Sequence, residues 1–273
     1  MVNVTLGKGG FFLNISFEGK TALILASSQG LGRAIAEKLA QGGANIMLAS
    51  RNDEKLKEVK DHLQNESSGK IEYAACDITK VEDIKQLVER TVATFGTIDI
   101  LVNNAGGPPA GLFEDMTDDD WQQAFELNLF SYIRAIREAL PHLKKQGGKI
   151  INIASSSIKE PIAGLILSNT FRTGIVGLSK TLAEEFAPHQ ILVNTVAPGR
   201  IATERVRHLD EVNAKKQGIS VEQQEERMKK KIPLGRYGNP EEFANVVAFL
   251  ASDANTYVTG SSFLVDGGMV RSI

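Results

Sequence analysis

Short runs of Ile, Leu, Val and Ala alternate along the chain with longer stretches whose apolar residues return every three or four positions. These are the periodicities of strand and helix. The strand-like runs are Ala22–Ala26, Asn45–Ala49, Ile71–Ala75, Ile98–Asn103, Lys149–Ile153, Ile191–Val196 and Ser262–Val265. Most are apolar on both faces, as strands covered by helices on each side must be, so the alternation predicts a parallel sheet. Between them, Leu31, Ile35 and Leu39 mark one helical stripe, Leu56, Val59 and Leu63 a second, and Ile84, Leu87, Val88, Val92 and Phe95 a third. Asn52 offers a start signal before the second and Gly96 a stop after the third. Residues 118 to 146 are expected to form one long helix, opened by Asp118, Asp119 and Asp120, whose charges suit the positive end of its dipole. From Ile201 to Ile232 the chain turns polar and mixed in charge, with helical patches and no strand signal, as a substrate-covering lid would. No repeat or linker divides residues 1–273, so one domain is expected, with 1–18 as an N-terminal extension and 201–232 as the lid insertion.

Directly after the first strand comes Ala26-Ser27-Ser28-Gln29-Gly30-Leu31-Gly32-Arg33, a small-residue turn opening a helix. Such a turn lets backbone N–H groups at a helix N-terminus approach a pyrophosphate, and its place in a βα series points to a dinucleotide. The competing reading is close packing of a helix on glycine. The second strand ends in Ala49-Ser50-Arg51-Asn52, where an NAD-selective site would carry an acid for the ribose 2′-hydroxyl. Arg51 offers instead a planar cation suited to a 2′-phosphate, which favours NADP(H) over NAD(H). A solvated arginine heading the next helix is the alternative.

Composition narrows the field. With 42% hydrophobic and 23% charged residues in 273, the chain is neither a disordered scaffold nor a fibre. A net charge of -2 gives no drive toward nucleic acid, and no apolar run approaches the ~18–20 residues that span a bilayer. The lone cysteine, Cys76, forms no internal disulfide, and it joins the four scattered histidines in no metal-ligand spacing. Acyl chemistry at Cys76 would need a partner base or cation that the sequence does not identify. Without an export signal, a cytoplasmic protein acting on a small molecule is expected.

These residues, from Phe17 to Gly268, resemble the short-chain dehydrogenase/reductases. Besides the glycine turn, Asp77 after the third strand, Asn103-Asn104-Ala105-Gly106 after the fourth, Asn128 within Glu126-Leu127-Asn128-Leu129, Ser155 after the fifth, Pro198-Gly199 with Ile201 and Thr203, and Val265-Asp266-Gly267-Gly268 stand in that family's order. The resemblance implies a three-layer α/β Rossmann fold: a doubly wound, parallel seven-stranded sheet with helices on both faces. It implies an oxidoreductase interconverting an alcohol and a carbonyl, like 3-oxoacyl carrier-protein reductases and sugar dehydrogenases. These are commonly homotetramers, with homodimers the other expectation. Carried over residue by residue, the cofactor would meet Ala26, Ser28, Gly30, Leu31, Gly32, Arg51, Asp77, Ile78, Asn104, Ala105, Gly106, Pro198, Gly199, Ile201 and Thr203. Catalysis would fall to Asn128 and Ser155, with Ser168 and Arg172 in the two remaining places.

Those last two are departures. The family has a tyrosine thirteen residues past the serine and a lysine four beyond it, and this chain has Ser168 and Arg172 there. A tyrosine near a cation can be drawn toward neutrality, a serine hydroxyl is far less acidic, and an arginine relays no proton. The four-residue spacing puts Ser168 and Arg172 on one helix face, directed toward the nicotinamide. Lys159, Glu160 and Tyr132 are candidate substitute acids; the first two read equally as solvated loop charges, and Tyr132 as a packing aromatic at a subunit contact. Ser155 has its own alternative as a strand-end cap. A further departure puts Ala26 where the first loop glycine is usual, a change that costs little if φ is negative there. Two functions follow: an NADP(H)-dependent oxidoreductase with an altered acid/base arrangement, or a catalytically silent dinucleotide-binding sensor or interaction protein. Arg205, Arg207 and His208 at the lid's start suit either an anionic or carrier-linked substrate or a solvated helix face.

Overall fold

The computed structural model describes residues 2–7 and 10–272, those before Ile15 by their backbone alone. Seven parallel strands make one sheet: β3 (Thr21–Leu25), β4 (Asn45–Ser50), β5 (Ile71–Ala75), β6 (Ile100–Asn103), β7 (Gly148–Ile153), β8 (Ile191–Pro198) and β9 (Ser262–Val265). Their order is β5-β4-β3-β6-β7-β8-β9, so the winding reverses between β3 and β6. The crevice outside the carboxyl ends of such a pair is where doubly wound folds bind ligands. Before the sheet, β1 (Val2–Gly7) and β2 (Gly10–Ile15) pair antiparallel as a separate two-stranded sheet within the 1–18 extension.

Alternation along β3 divides the core. Ala22 and Ile24 face one layer with Leu39, Leu56 and Phe243, while Leu23 and Leu25 face the other with Leu87, Ile136 and Ile175. The first layer holds α1 (Gly30–Gln41), α2 (Asp53–Glu66) and α9 (Pro240–Ala251); the second holds α3 (Val81–Phe95), α5 (Ser131–Leu143) and α6 (Ile166–Phe186). The expected three-layer Rossmann arrangement is therefore present. Asn52 caps α2 by accepting from the Lys55 N–H, and Gly96 ends α3 at φ 84, as their sequence positions predict. Residues 201–232 contain α7 (Glu204–Gln217) and α8 (Val221–Lys229), with no strand of the sheet.

Three expectations need correction. The first strand ends at Leu25, because Ala26 turns out of it at φ 48. The condition under which that alanine is inexpensive is not met, since a left-handed φ costs an L-residue roughly 1–2 kcal/mol. The fourth strand starts at Ile100, not Ile98: Asp99 instead accepts the Thr21 N–H on its carboxylate at 2.8 Å. The long helix over 118–146 is broken into α4 (Asp118–Phe125), a π-helical turn over Glu126–Phe130 and α5, ending at Leu143. The wider turn centres on Asn128, whose side chain leaves the helix to donate to the Gly106 carbonyl at 2.7 Å.

Candidate active site

The loop after β3 is pinned from below. Ser27 is fully buried and its hydroxyl accepts the Ala49 N–H at 2.9 Å, while Asn104 at the end of β6 donates to the Ala26 carbonyl at 3.2 Å. A Cβ on Gly32 would sit 2.3 Å from that carbonyl, so only glycine lets α1 start this close to the strand. Gln29 makes no side-chain cap and the first turn of α1 carries no acid, which leaves its N–H donors open to an anion. Ser28, Gly30 and Leu31 line this turn half-buried, and Thr203, which caps α7, lies 3.8 Å from where a Gly30 Cβ would be. Arg51 is exposed at the end of β4.

Asp77 accepts from the Thr79 hydroxyl at 2.8 Å and N–H at 3.1 Å. Burial works to raise its carboxyl, but these bonds, with the charges of Arg51 and Lys80, outweigh it and hold the group below its usual value. Ile78 is buried beside it. On the far side, Gly199 abuts Asp266, whose Cβ would be 2.5 Å from an added methyl, while Pro198 is half-buried and Ile201 buried. The uncapped α1 terminus, the close glycine and the open space over Gly106, where a Cβ would meet nothing within 4 Å, fit a dinucleotide laid across β3 and β6.

The catalytic candidates gather at the ends of β6 and β7. Asn128 is fully buried; its Nδ2 holds Gly106, and its Oδ1 has no partner. Ser155 follows β7 and does cap the next turn, its oxygen accepting the Ser157 N–H at 3.2 Å, yet it is half-buried and its own proton bonds to no described group. Ser168 and Arg172 are both buried on the inner face of α6. They do not pair. Arg172 reaches beneath the site, Nη1 donating to the Tyr132 hydroxyl at 2.9 Å and the Ile153 carbonyl at 2.7 Å, Nη2 to the Ala105 carbonyl at 3.1 Å and the Gly106 carbonyl at 3.4 Å.

Tyr132 is thereby a packing aromatic, as one of its sequence readings has it, but inside the core and not at a subunit contact. It has no exposed surface in this chain, so it meets no other subunit, and its hydroxyl donates to the Ile153 carbonyl at 2.9 Å. Burial pushes that hydroxyl above its ordinary value, and the Arg172 charge offsets only part of the rise. Of the other tyrosines, Tyr73 lies on β5, Tyr237 donates to Asp210 and Tyr257 is 95% exposed, so no tyrosine among the described residues takes the missing place. Lys159 and Glu160 are exposed loop residues whose side chains bond to no described group. Burial, with Asp83 and Asp77 nearby, pushes the Cys76 thiol up to about 12 and leaves it no thiolate to act with.

Two features escaped the sequence. One is a buried polar ladder across the sheet: Asn103 donates to Asn152 at 2.8 Å, Asn152 to the Ser179 hydroxyl at 2.9 Å, and Thr195 to the same hydroxyl at 2.9 Å. The other is the inward turn of Arg205, which donates to the Pro108 carbonyl at 2.9 Å. Its signal was present in the spacing, since Arg207 and His208 have Glu211 within a helical turn and Arg205 has Leu209 at that distance. Beside α6, Gly111, Leu112, Phe113, Ile162 and Ile166 line an apolar depression of about 300 Å³.

Comparison with known proteins agrees with this geometry. The family described as enoyl-(acyl carrier protein) reductase matches residues 25–270. The 3-oxoacyl-[acyl-carrier-protein] reductase of Aquifex aeolicus is 36% identical, over 94% of this chain and 100% of its own. Dehydrogenase/reductase SDR family member 4 of Caenorhabditis elegans is also 36% identical, over 93% of this chain and 96% of its own. The solved structure of L-sorbose reductase from Gluconobacter frateurii, complexed with NADPH and L-sorbose, superposes with a TM-score of 0.91 at 33% identity, covering 95% of this chain and 100% of that one. The chain belongs to the short-chain dehydrogenase/reductase family, a family of oxidoreductases. Among its described residues, no helix is long and apolar enough to cross a membrane and no group of acids, histidines and cysteine is placed to hold a metal ion.

Proposed function

We propose that the chain is an NADP(H)-dependent oxidoreductase interconverting an alcohol and a carbonyl, with Ser155 as the group that meets the substrate oxygen. The carrying observation is the position of Ser155 just past the end of β7, the strand paired with β6, half-buried, its oxygen held by the Ser157 N–H and its proton bonded to no described group. The nicotinamide supplies the hydride when bound. The turn from Ala26 to Gly32 and the α1 terminus would hold the pyrophosphate, and Arg51 would meet the 2′-phosphate, favouring NADP(H). Ser155 donates a hydrogen bond to the oxygen on which negative charge develops, and Asn128 positions the Gly106 backbone beneath. Ser168 supplies the second hydroxyl, and the proton that completes the alcohol comes from solvent through these hydroxyls, since no tyrosine among the described residues stands in the missing place. The α7–α8 segment serves as the lid.

A second reading, a catalytically silent dinucleotide-binding sensor, is favoured by one observation: the terminal nitrogens of Arg172 are committed to backbone carbonyls and the Tyr132 hydroxyl. Fluorescence titration with NADPH and NADH, followed by stopped-flow oxidation of bound NADPH against a broad carbonyl panel, separates the two. Turnover lost in Ser155→Ala supports the enzyme; tight NADPH binding without oxidation by any carbonyl supports the sensor. We also propose a homo-oligomer joined through α4 and α6, supported by the half-exposed aromatic surface of Trp121, Phe125, Phe130 and Phe171 beside the 74% exposed Phe113. Sedimentation of Phe171→Glu tests it, with dissociation to monomers expected.

A further inference from the structure

We propose that Arg205 anchors an anionic group of the substrate, so that this site takes a carbonyl compound bearing a carboxylate or phosphate in preference to a neutral one. This inference rests on the NADP(H)-dependent reading above.

Three basic side chains, Arg205, Arg207 and His208, stand at the start of α7. Arg207 reaches Glu211 at 3.3 Å and His208 lies 3.8 Å from the same carboxylate, so the helix satisfies both from its own surface. Arg205 pairs with no carboxylate among the described residues. Its guanidinium lies over the loop leaving β6, where Nη2 donates to the Pro108 carbonyl at 2.9 Å and would also lie 2.9 Å from a Cβ on Gly107. Glycine at 107 is what lets the side chain rest there. The position beside it is open: a Cβ on Gly106 would meet nothing within 4 Å.

The same loop carries a second unpaired guanidinium from beneath. Arg172 is buried, holds the carbonyls of Ala105 and Gly106, and likewise pairs with no carboxylate among the described residues. Two guanidinium groups therefore hold carbonyls of residues 105–108, and neither meets a carboxylate among the described residues. Their carbonyl partners, Gly106 and Pro108, are two residues apart, and the like charges repel. Burial and the Arg172 charge push the Arg205 guanidinium down from its ordinary value, the same strain seen from the proton side. An anion over Gly106 relieves it, and a guanidinium fork is the group that recognises carboxylate or phosphate with two bonds. Arg205 is exposed enough to meet a ligand, whereas Arg172 contributes only its field.

The test uses the NADPH-loaded protein and matched probes: acetoacetate against methyl acetoacetate, 4-oxopentanoate against its methyl ester, and acetoacetyl-coenzyme A against acetoacetyl-N-acetylcysteamine. Quenching of bound NADPH fluorescence reads binding without requiring turnover. At least one acid or the coenzyme A thioester is expected to bind tenfold or more tightly than its neutral partner. Arg205→Gln should erase that preference, Arg205→Lys should retain part of it, and NADPH affinity should stay within twofold in both. The two oxo acids report a carboxylate and the coenzyme A pair a phosphate. Equal weakening of acid and ester in Arg205→Gln, no preference in the wild type, or no binding by any anion overturns the proposal while leaving NADPH binding intact. If NADPH itself fails to bind, the underlying reading fails instead. Thermal shift of the protein with malonate and inorganic phosphate then decides Arg205: protection lost in Arg205→Gln supports the anion site, and no protection in the wild type overturns it.

Discussion

Arg172 Nη1 donates to the Tyr132 hydroxyl over 2.9 Å, joining the middle of α6 to the start of α5 beneath the Ile153 carbonyl that both residues bind. A cation and a tyrosine are thus neighbours in this protein, one layer below the cleft and with the tyrosine fully buried. Tyr132→Phe keeps the ring and removes one donor and one acceptor, which should cost about 1–2 kcal/mol of stability. Arg172→Met also strips partners from the Ala105 and Ile153 carbonyls and should cost about 3 kcal/mol. Urea unfolding of the two variants measures both. If turnover is found, its pH profile should be the same in Tyr132→Phe, because a hydroxyl whose value is raised by burial does not ionise in the working range; a lost limb would make Tyr132 the acid after all.

Ala26 adopts φ 48 at the place where the family carries glycine. Ala26→Gly relieves a left-handed strain of roughly 1–2 kcal/mol and gives back part of it as unfolded-chain entropy. A net gain of about 0.5–1 kcal/mol is expected in thermal or urea unfolding, with NADPH affinity equal or tighter. A destabilised glycine variant would mean that the loop relaxes around alanine.

Arg51 is exposed and bonds to no described side chain, so its removal should leave the fold unchanged. Arg51→Ala should weaken NADPH binding about tenfold to a hundredfold, the worth of one or two charge-assisted bonds, and leave NADH binding nearly unchanged. Parallel fluorescence titrations give the ratio. Equal losses for both cofactors would point to a structural role at the head of α2.

Arg236 donates to both carboxylate oxygens of Glu242, at 2.8 and 2.7 Å, and the Asn239 N–H adds a third bond at 2.7 Å. Together they draw the Glu242 carboxyl from 4.5 down to about 2. A depressed carboxyl contributes stability above its unfolded value and loses it as pH falls through the folded one. The difference between wild type and Arg236→Gln should therefore be constant above about pH 5 and shrink between about 4.5 and 2. Urea midpoints at pH 7, 4 and 2.5 test the sign. The pair is solvent-exposed, so high salt should narrow the gap as well.

The sequence by itself determined the alternation of strand and helix and the parallel sheet that follows from it. Apolar runs that face helices on both sides, such as Ala22–Leu25, and stripes at helical spacing, such as Leu31–Ile35–Leu39, carry their burial in their own periodicity. The glycines of the first loop were legible for the same reason, because Gly32 must admit a carbonyl whatever surrounds it. The candidate catalytic residues were only half legible. The resemblance pointed to Ser155, Asn128, Ser168 and Arg172, but the direction of a long side chain depends on acceptors remote in sequence. Arg172 points to Tyr132, Ile153 and Ala105, as many as 67 positions away, and no local pattern encodes that choice. Tertiary structure likewise decided that Asn128 opens a π turn, that Ala26 bears a left-handed backbone, and that Arg205 turns inward while Arg207 and His208 stay with their own helix. Each is settled by which unsatisfied polar group the fold brings within reach, and that follows from packing the layers together.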